Sequence, residues 1–138
     1  MYIRELTLND YDAIYALWLE CDGIGLSASD SREQIGMFLR RNPGTCFVAE
    51  VEGRVVGTIL GGHDGRRGYI HHQAVHPDFR RQGIGRKLAK RCQAALQAEG
   101  ILKAQLVVFS ENERAQTFWR SLGWYDRDDL RVMSLYLS

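Results

Sequence analysis

Two groups of residues have types and spacing that could do chemistry. The first is Arg80-Arg81-Gln82-Gly83-Ile84-Gly85-Arg86, in which three arginines surround two glycines at the entrance to an apolar-striped helix. The first backbone N–H groups of a helix have no carbonyl partner, and with the helix dipole they favour an anion placed just beyond them. Gly83 and Gly85 carry no Cβ to keep a phosphate from those amides, and Arg80, Arg81 and Arg86 add positive charge around the same point. The second group is His71-His72, inside the apolar run "GYIHHQAV". Imidazole titrates near neutrality and suits proton transfer there.

Each group also has a plain structural reading. A tight turn into a helix with solvated arginines gives the same pattern as a phosphate loop, and most histidines in strands do no chemistry. Context decides what kind of loop this could be. No third glycine follows at the dinucleotide-binding spacing, and no Gly-Lys-Ser/Thr occurs, so two common phosphate loops are excluded. With 138 residues, a net charge of +1 and 45% hydrophobic content, the chain is expected to be one globular domain, 1–138, with no nucleic-acid surface. Cys21, Cys46 and Cys92 lack paired spacing and sit in apolar patterns, so they read as reduced core residues of a cytoplasmic protein without a metal site. Neither a leader nor a membrane span is expected, and a homodimer is left open.

The elements that must position these groups follow from periodicity. "YIREL" reads as a first strand, and helices follow over "LNDYDAIYALWLECDG" and "SREQIGMFLRR", joined by the flexible connection "GIGLSAS". "CFVAEV" and "RVVGTILGG" flank the turn Glu52-Gly53 as a hairpin, and "GYIHHQAV" is the fourth strand. The glycine-rich loop opens a helix ending at Gly100, "KAQLVVF" is a fifth strand, and Ser110-Glu111-Asn112-Glu113 reads as a capping box for a last helix. "WYDR" and "RVMSLYLS" complete the chain as two short strands. The order implies an α/β (α+β) fold with a mixed sheet.

Val75-His76-Pro77-Asp78-Phe79-Arg80-Arg81-Gln82-Gly83-Ile84-Gly85 resembles the pyrophosphate loop, Arg/Gln-x-x-Gly-x-Gly/Ala, of the GNAT superfamily of N-acetyltransferases. Residues Asn112 to Trp124, with Asn opening a helix and Phe118-Trp119 followed by Leu-Gly-Trp, are similar to a later motif of the same family. "GGHDGRRG" is similar to a group of small bacterial members of undefined substrate. The resemblance implies a mostly antiparallel sheet of about seven strands with four helices, its fourth and fifth strands splayed. It further implies an acetyl-CoA site. Main-chain amides from Arg81 through Gln82, Gly83, Ile84 and Gly85 to Arg86 would take the pyrophosphate, the edge Gln73-Ala74-Val75 would pair with the pantetheine arm, and Asn112, Phe118 and Trp119 would lie by the cofactor.

Strand alternation puts Tyr69, His71 and Gln73 on one face and Ile70, His72 and Ala74 on the other. The second set is mainly apolar and is expected to pack on a helix, so His71 is the expected proton acceptor. His63 and His76 lie in loops and read as solvated. Trp119 stands where many family members carry a tyrosine that protonates the departing thiolate, and an indole can donate a hydrogen bond there but not usefully give up its proton. Proton return would fall to water, Tyr69 or Tyr125. The expected activity is acetyl transfer to a primary amine of a small molecule or peptide, and a non-catalytic acyl-CoA-binding domain is the alternative.

Overall fold

The structure is a computed structural model and describes residues 1–138 throughout. Two compact units divide the chain, Met1–Val107 and Val108–Ser138. The first holds one sheet in sequence order: β1 (Tyr2–Glu5), β2 (Phe47–Val51), β3 (Arg54–His63), β4 (Gly68–Val75) and β5 (Ala104–Leu106). The first four strands pair antiparallel and β5 joins β4 parallel. With helices α1 (Tyr11–Leu19), α2 (Arg32–Arg41) and α3 (Ile84–Ala98) this is the expected mixed α/β arrangement.

The β2–β3 hairpin turns on Glu52 and Gly53 at φ 51° and 78°, the paired left-handed conformation that a tight hairpin turn requires. In β3, Gly61 and Gly62 show how closely helices approach both faces of the sheet. A Cβ on Gly61 would lie 2.4 Å from the sulfur of Cys92 on α3, and one on Gly62 would lie 2.7 Å from the Phe38 ring on α2. Neighbouring strand residues point to opposite faces, so α3 covers one face and α2 the other. Trp18, Ile14, Leu88, Ile59 and Val48 are wholly buried between these layers, each burial of this kind contributing about 1.5–3 kcal/mol. Cys21, Cys46 and Cys92 are buried thiols in no disulfide, and desolvation pushes the thiols of Cys46 and Cys92 up to about 12. Arg4 ties β1 to the next turn and to β2, bonding Asp10 at 2.7 Å and 2.9 Å and Glu50 at 2.8 Å.

The second unit contains α4 (Glu113–Ser121). Its N-cap is Asn112, whose side-chain oxygen accepts the Ala115 N–H at 3.1 Å, as the family motif implies; the capping box read at Ser110 does not form the cap. It ends in a Schellman turn at Gly123, φ 94°, with N–H bonds from Gly123 to Arg120 and from Trp124 to Trp119.

The sheet has five strands, not about seven. Neither "WYDR" nor "RVMSLYLS" forms a strand: no ladder partner pairs with them, and Met133, Leu135 and Leu137 are exposed. Strand propensity measures fit to a pleated, half-buried surface, so without a partner it produces no strand.

Candidate active site

The edge between β4 and β5 is where the sheet opens. Pairing runs through Gly68–Ala104, Tyr69–Gln105 and Ile70–Leu106 and then stops, leaving His71 to Val75 without a neighbour on that side. The pairing of the fourth and fifth strands thus ends at Ile70, as the expected splaying requires.

At the same place β4 breaks its alternation. Thr58 pairs with Ala74 but Leu60 pairs with His71, so one residue of β3 faces two of β4. The extra residue is His72, at φ 45°, and a bulge of this kind re-aims the side chains that follow it. The expectation that His72 faces away from His71 is therefore corrected. The His71 ring packs edge-on against Phe38 of α2 with centroids 5.9 Å apart, and the His72 ring stands 4.6 Å from Trp18 of α1. Both imidazoles lie on the α1–α2 face. Ala74 joins the same cluster as Trp18 and Leu60, which by alternation turns Gln73 the other way. Tyr69 stays partly exposed.

The two histidines differ in partners. His71 is exposed by surface area, but neighbouring groups around its ring, Phe38 among them, still desolvate it: desolvation, then the charge of His72, shifts the imidazole below the ordinary histidine value, with Asp30 opposing. His72 Nε2 lies 2.7 Å from Asp30 Oδ1. Asp30 is not among the residues the sequence singles out, because it falls between the flexible connection "GIGLSAS" and the helix "SREQIGMFLRR". Ser27-x-x-Asp30 is a capping pattern that could have found it. Ser27 caps a short turn, Ala28–Asp30, and its N–H donates to Asp30 Oδ2 at 2.9 Å.

The basic loop follows β4 directly. His76 is buried and not solvated: its Nε2 contacts the Glu20 carboxylate at the end of α1, and its Nδ1 accepts the Asp78 N–H at 3.1 Å. His63 is likewise engaged, with Glu99 at 2.8 Å. Arg80 Nε donates to the Val75 carbonyl at 3.1 Å. Arg81 and Gly83 both take left-handed backbone, φ 64° and 82°, and such turns gather N–H groups into an anion-binding concavity. Ile84 is buried as the anchor of α3, while Arg81, Gln82, Gly83 and Arg86 are exposed and Gly85 is half-buried. Lys87 makes the first helical bond, to the Gly83 carbonyl at 3.1 Å, so the amides of Ile84, Gly85 and Arg86 precede the ladder and have no helical acceptor. Nothing stands within 4 Å of where a Gly83 Cβ would be. From Gly83 a groove of about 550 Å³ runs along α3, lined by Arg86, Lys87, Lys90 and Arg91 over Ile3 and Ala94 and by no carboxylate. These residues fit a diphosphate.

Asn112, Phe118 and Trp119 belong to the second unit. The Asn112 oxygen is committed to its helix cap, and Trp119 packs edge-on against Phe118 and Trp124 with centroids 5.1 and 5.0 Å apart.

Residues 11–124 match the acetyltransferase (GNAT) family. The chain belongs to this family. It is an N-acetyltransferase, and its acyl donor is acetyl-CoA. An acetyltransferase of Photorhabdus laumondii is 37% identical over 133 residues, covering 96% of this chain and 92% of its own. One of Sodalis glossinidius is 34% identical over 133 residues, with 96% and 93% covered. In fold this acetyltransferase is similar to the crystal structure of Ard1 from Thermoplasma volcanium, with TM-score 0.78, 26% identity and 88% and 80% covered. The PaiA N-acetyltransferase of Thermoplasma acidophilum, in complex with coenzyme A, gives TM-score 0.81 at 18% identity, with 92% and 91% covered. No helix is long and apolar enough to cross a membrane.

Proposed function

We propose that this acetyltransferase moves an acetyl group directly from acetyl-CoA to a primary amine of a small molecule or peptide. The observation that carries the reading is the unpaired edge of β4, His71 to Val75, which carries two imidazoles and leads through the short turn Pro77–Phe79 to the left-handed loop at Arg81 and Gly83. Residues 73–75 would hold the pantetheine arm by main-chain hydrogen bonds, and the amides from Arg81 to Arg86 the pyrophosphate, with Arg81 and Arg86 adding charge. Acetyl-CoA supplies the activated carbonyl carbon.

The chain's own residues then have two tasks, to orient a neutral amine and to accept its proton. An imidazole on β4 is the group for the second task, because its ring nitrogen can accept a proton and it stands where the strands part. His71 is one candidate, its imidazole shifted below the ordinary histidine value first by desolvation. Two observations on neighbours support an amine acceptor: a related fold is diaminobutyrate acetyltransferase of Paenibacillus lautus in complex with L-2,4-diaminobutyric acid, and another is Naa20 of Chaetomium thermophilum with a bisubstrate analogue.

A thiol-release assay with acetyl-CoA against a panel of small amines and peptide N-termini tests the reading. Release that depends on an added amine supports it. Tight acetyl-CoA binding with no release for any amine would instead favour an acyl-CoA-binding domain.

A further inference from the structure

His72 is the one residue of β4 in the left-handed region, at φ 45°. A non-glycine residue held there costs about 1–3 kcal/mol and persists only where its surroundings enforce it. They do so here. The Thr58 hydroxyl donates to the His72 carbonyl at 2.9 Å and accepts the Trp18 indole N–H at 2.9 Å. The strain turns the ring onto the α1–α2 face, against Asp30.

Asp30 is committed on each side. Its Oδ2 takes the Ser27 N–H at 2.9 Å and its main-chain carbonyl takes the Tyr11 hydroxyl at 2.6 Å, which leaves Oδ1 for His72 at 2.7 Å. A carboxylate only accepts, so partner chemistry assigns the hydrogen to Nε2 and leaves the lone pair on Nδ1. Nδ1 has no protein partner, yet no buried side-chain nitrogen or oxygen is unsatisfied, so Nδ1 opens to solvent. His71, by contrast, has Phe38 against its ring and hydrogen-bonds no carboxylate.

We propose that His72 is the catalytic residue that takes the proton from the acceptor amine, with Asp30 as its positioning residue. The proposal rests on the amine-acceptor reading above. Asp30 fixes the tautomer and orientation of the ring and stabilises the imidazolium that forms. As the amine nitrogen bonds to the acetyl carbon and the C–S bond breaks, one proton passes from that nitrogen to Nδ1. It leaves afterwards to the thiolate or to water, and the ring returns to its starting state. Of the titratable or charged groups, Asp30 bonds His72 directly, His71 adjoins it on its own strand, and Tyr11 bonds the Asp30 carbonyl with Arg32 over its own ring at 5.8 Å.

Two measurements test this. In the free protein, ¹⁵N NMR of the histidine ring should show His72 as the Nε2–H tautomer. Asp30→Asn should move it to Nδ1–H, since asparagine keeps an oxygen for the Ser27 N–H but offers an N–H to Nε2. With saturating acetyl-CoA, His72→Gln and Asp30→Asn should each lower kcat by about 100-fold or more, the loss expected of a general base. The shift in Tm on adding acetyl-CoA should stay. Parent-rate turnover by His72→Gln, or a tautomer indifferent to Asp30→Asn, overturns the proposal while amine-dependent turnover by the wild type leaves the wider reading intact. A wild type that binds acetyl-CoA and acetylates no amine overturns both, and the tautomer result then stands only as a structural fact.

Discussion

Thr58 fastens the bulge at His72 from the neighbouring strand: its hydroxyl donates to the His72 main-chain carbonyl at 2.9 Å and at the same time accepts from Trp18. Thr58 is fully buried and Trp18 nearly so. Valine has the same shape and no hydroxyl, so Thr58→Val strands a buried indole N–H and a carbonyl together. An unsatisfied buried group costs about 1–3 kcal/mol, so the variant should lose about 2 kcal/mol or more in urea melts, and Thr58→Ser should recover part of it. Equal midpoints for wild type and Thr58→Val would mean that the hydroxyl does not hold the bulge.

Much of this region was legible from the chain. The alternation of Gly68, Tyr69, Ile70 and His71 reads correctly, as do the hairpin at Glu52-Gly53 and the loop glycine at 83. Alternation fails at His72 because a bulge leaves no mark in a period-two pattern; only long-range bonds from Thr58 and Asp30 create it. Asp30 was missed because it lies 42 residues from its partner, in a segment without periodicity. The C-terminal strands were misread for the opposite reason. Their composition suits a strand, but composition cannot supply the partner a ladder needs.

The loop at Arg81 and Gly83 makes a prediction with two arms. Gly83 lies at φ 82° with open space around it, so Gly83→Ala meets backbone strain and no clash. It should cost about 1 kcal/mol in stability and also diminish the rise in Tm caused by acetyl-CoA, because the methyl group stands at the helix mouth. Arg81 lies at φ 64°, where Arg81→Gly relieves strain and removes a charge. That variant should melt no lower than the wild type but need more acetyl-CoA for the same shift, and less so at high salt. An unchanged shift in both variants would place the pyrophosphate elsewhere.

Gly61 sets how closely α3 lies on β3. A Cβ there would meet the Cys92 sulfur at 2.4 Å and the Thr45 carbonyl at 2.7 Å. Backbone cannot retreat as a flexible side chain can, so Gly61→Ala should cost at least the ~1–3 kcal/mol typical of overpacking. Pairing it with Cys92→Ala removes the sulfur but not the carbonyl, and should restore part of the loss and not all. Full restoration in chemical denaturation would show that the sulfur alone limits the approach.

Acid should weaken the fold in two separate windows. The His71 imidazole is held below its ordinary value, first by desolvation. Below the unfolded value of about 6.5 the unfolded chain binds a proton that the folded chain resists, so stability falls as pH drops from there to the lower folded value. The Asp10 carboxyl is held below the carboxylate range, first by its hydrogen bond to Arg4. Its contribution is complete above the unfolded value of about 3.9 and is lost as pH falls through the lower folded one. Urea melts across pH should therefore show His71→Gln flattening only the window that opens near neutrality, and Asp10→Asn only the more acidic one. Asp10→Asn should also be less stable than the wild type at neutral pH and converge with it in acid. A wild-type profile that is flat down to the carboxylate range would remove the assignment of the upper window to His71, and parallel profiles for Asp10→Asn and wild type would remove that of the lower window to the Arg4–Asp10 pair.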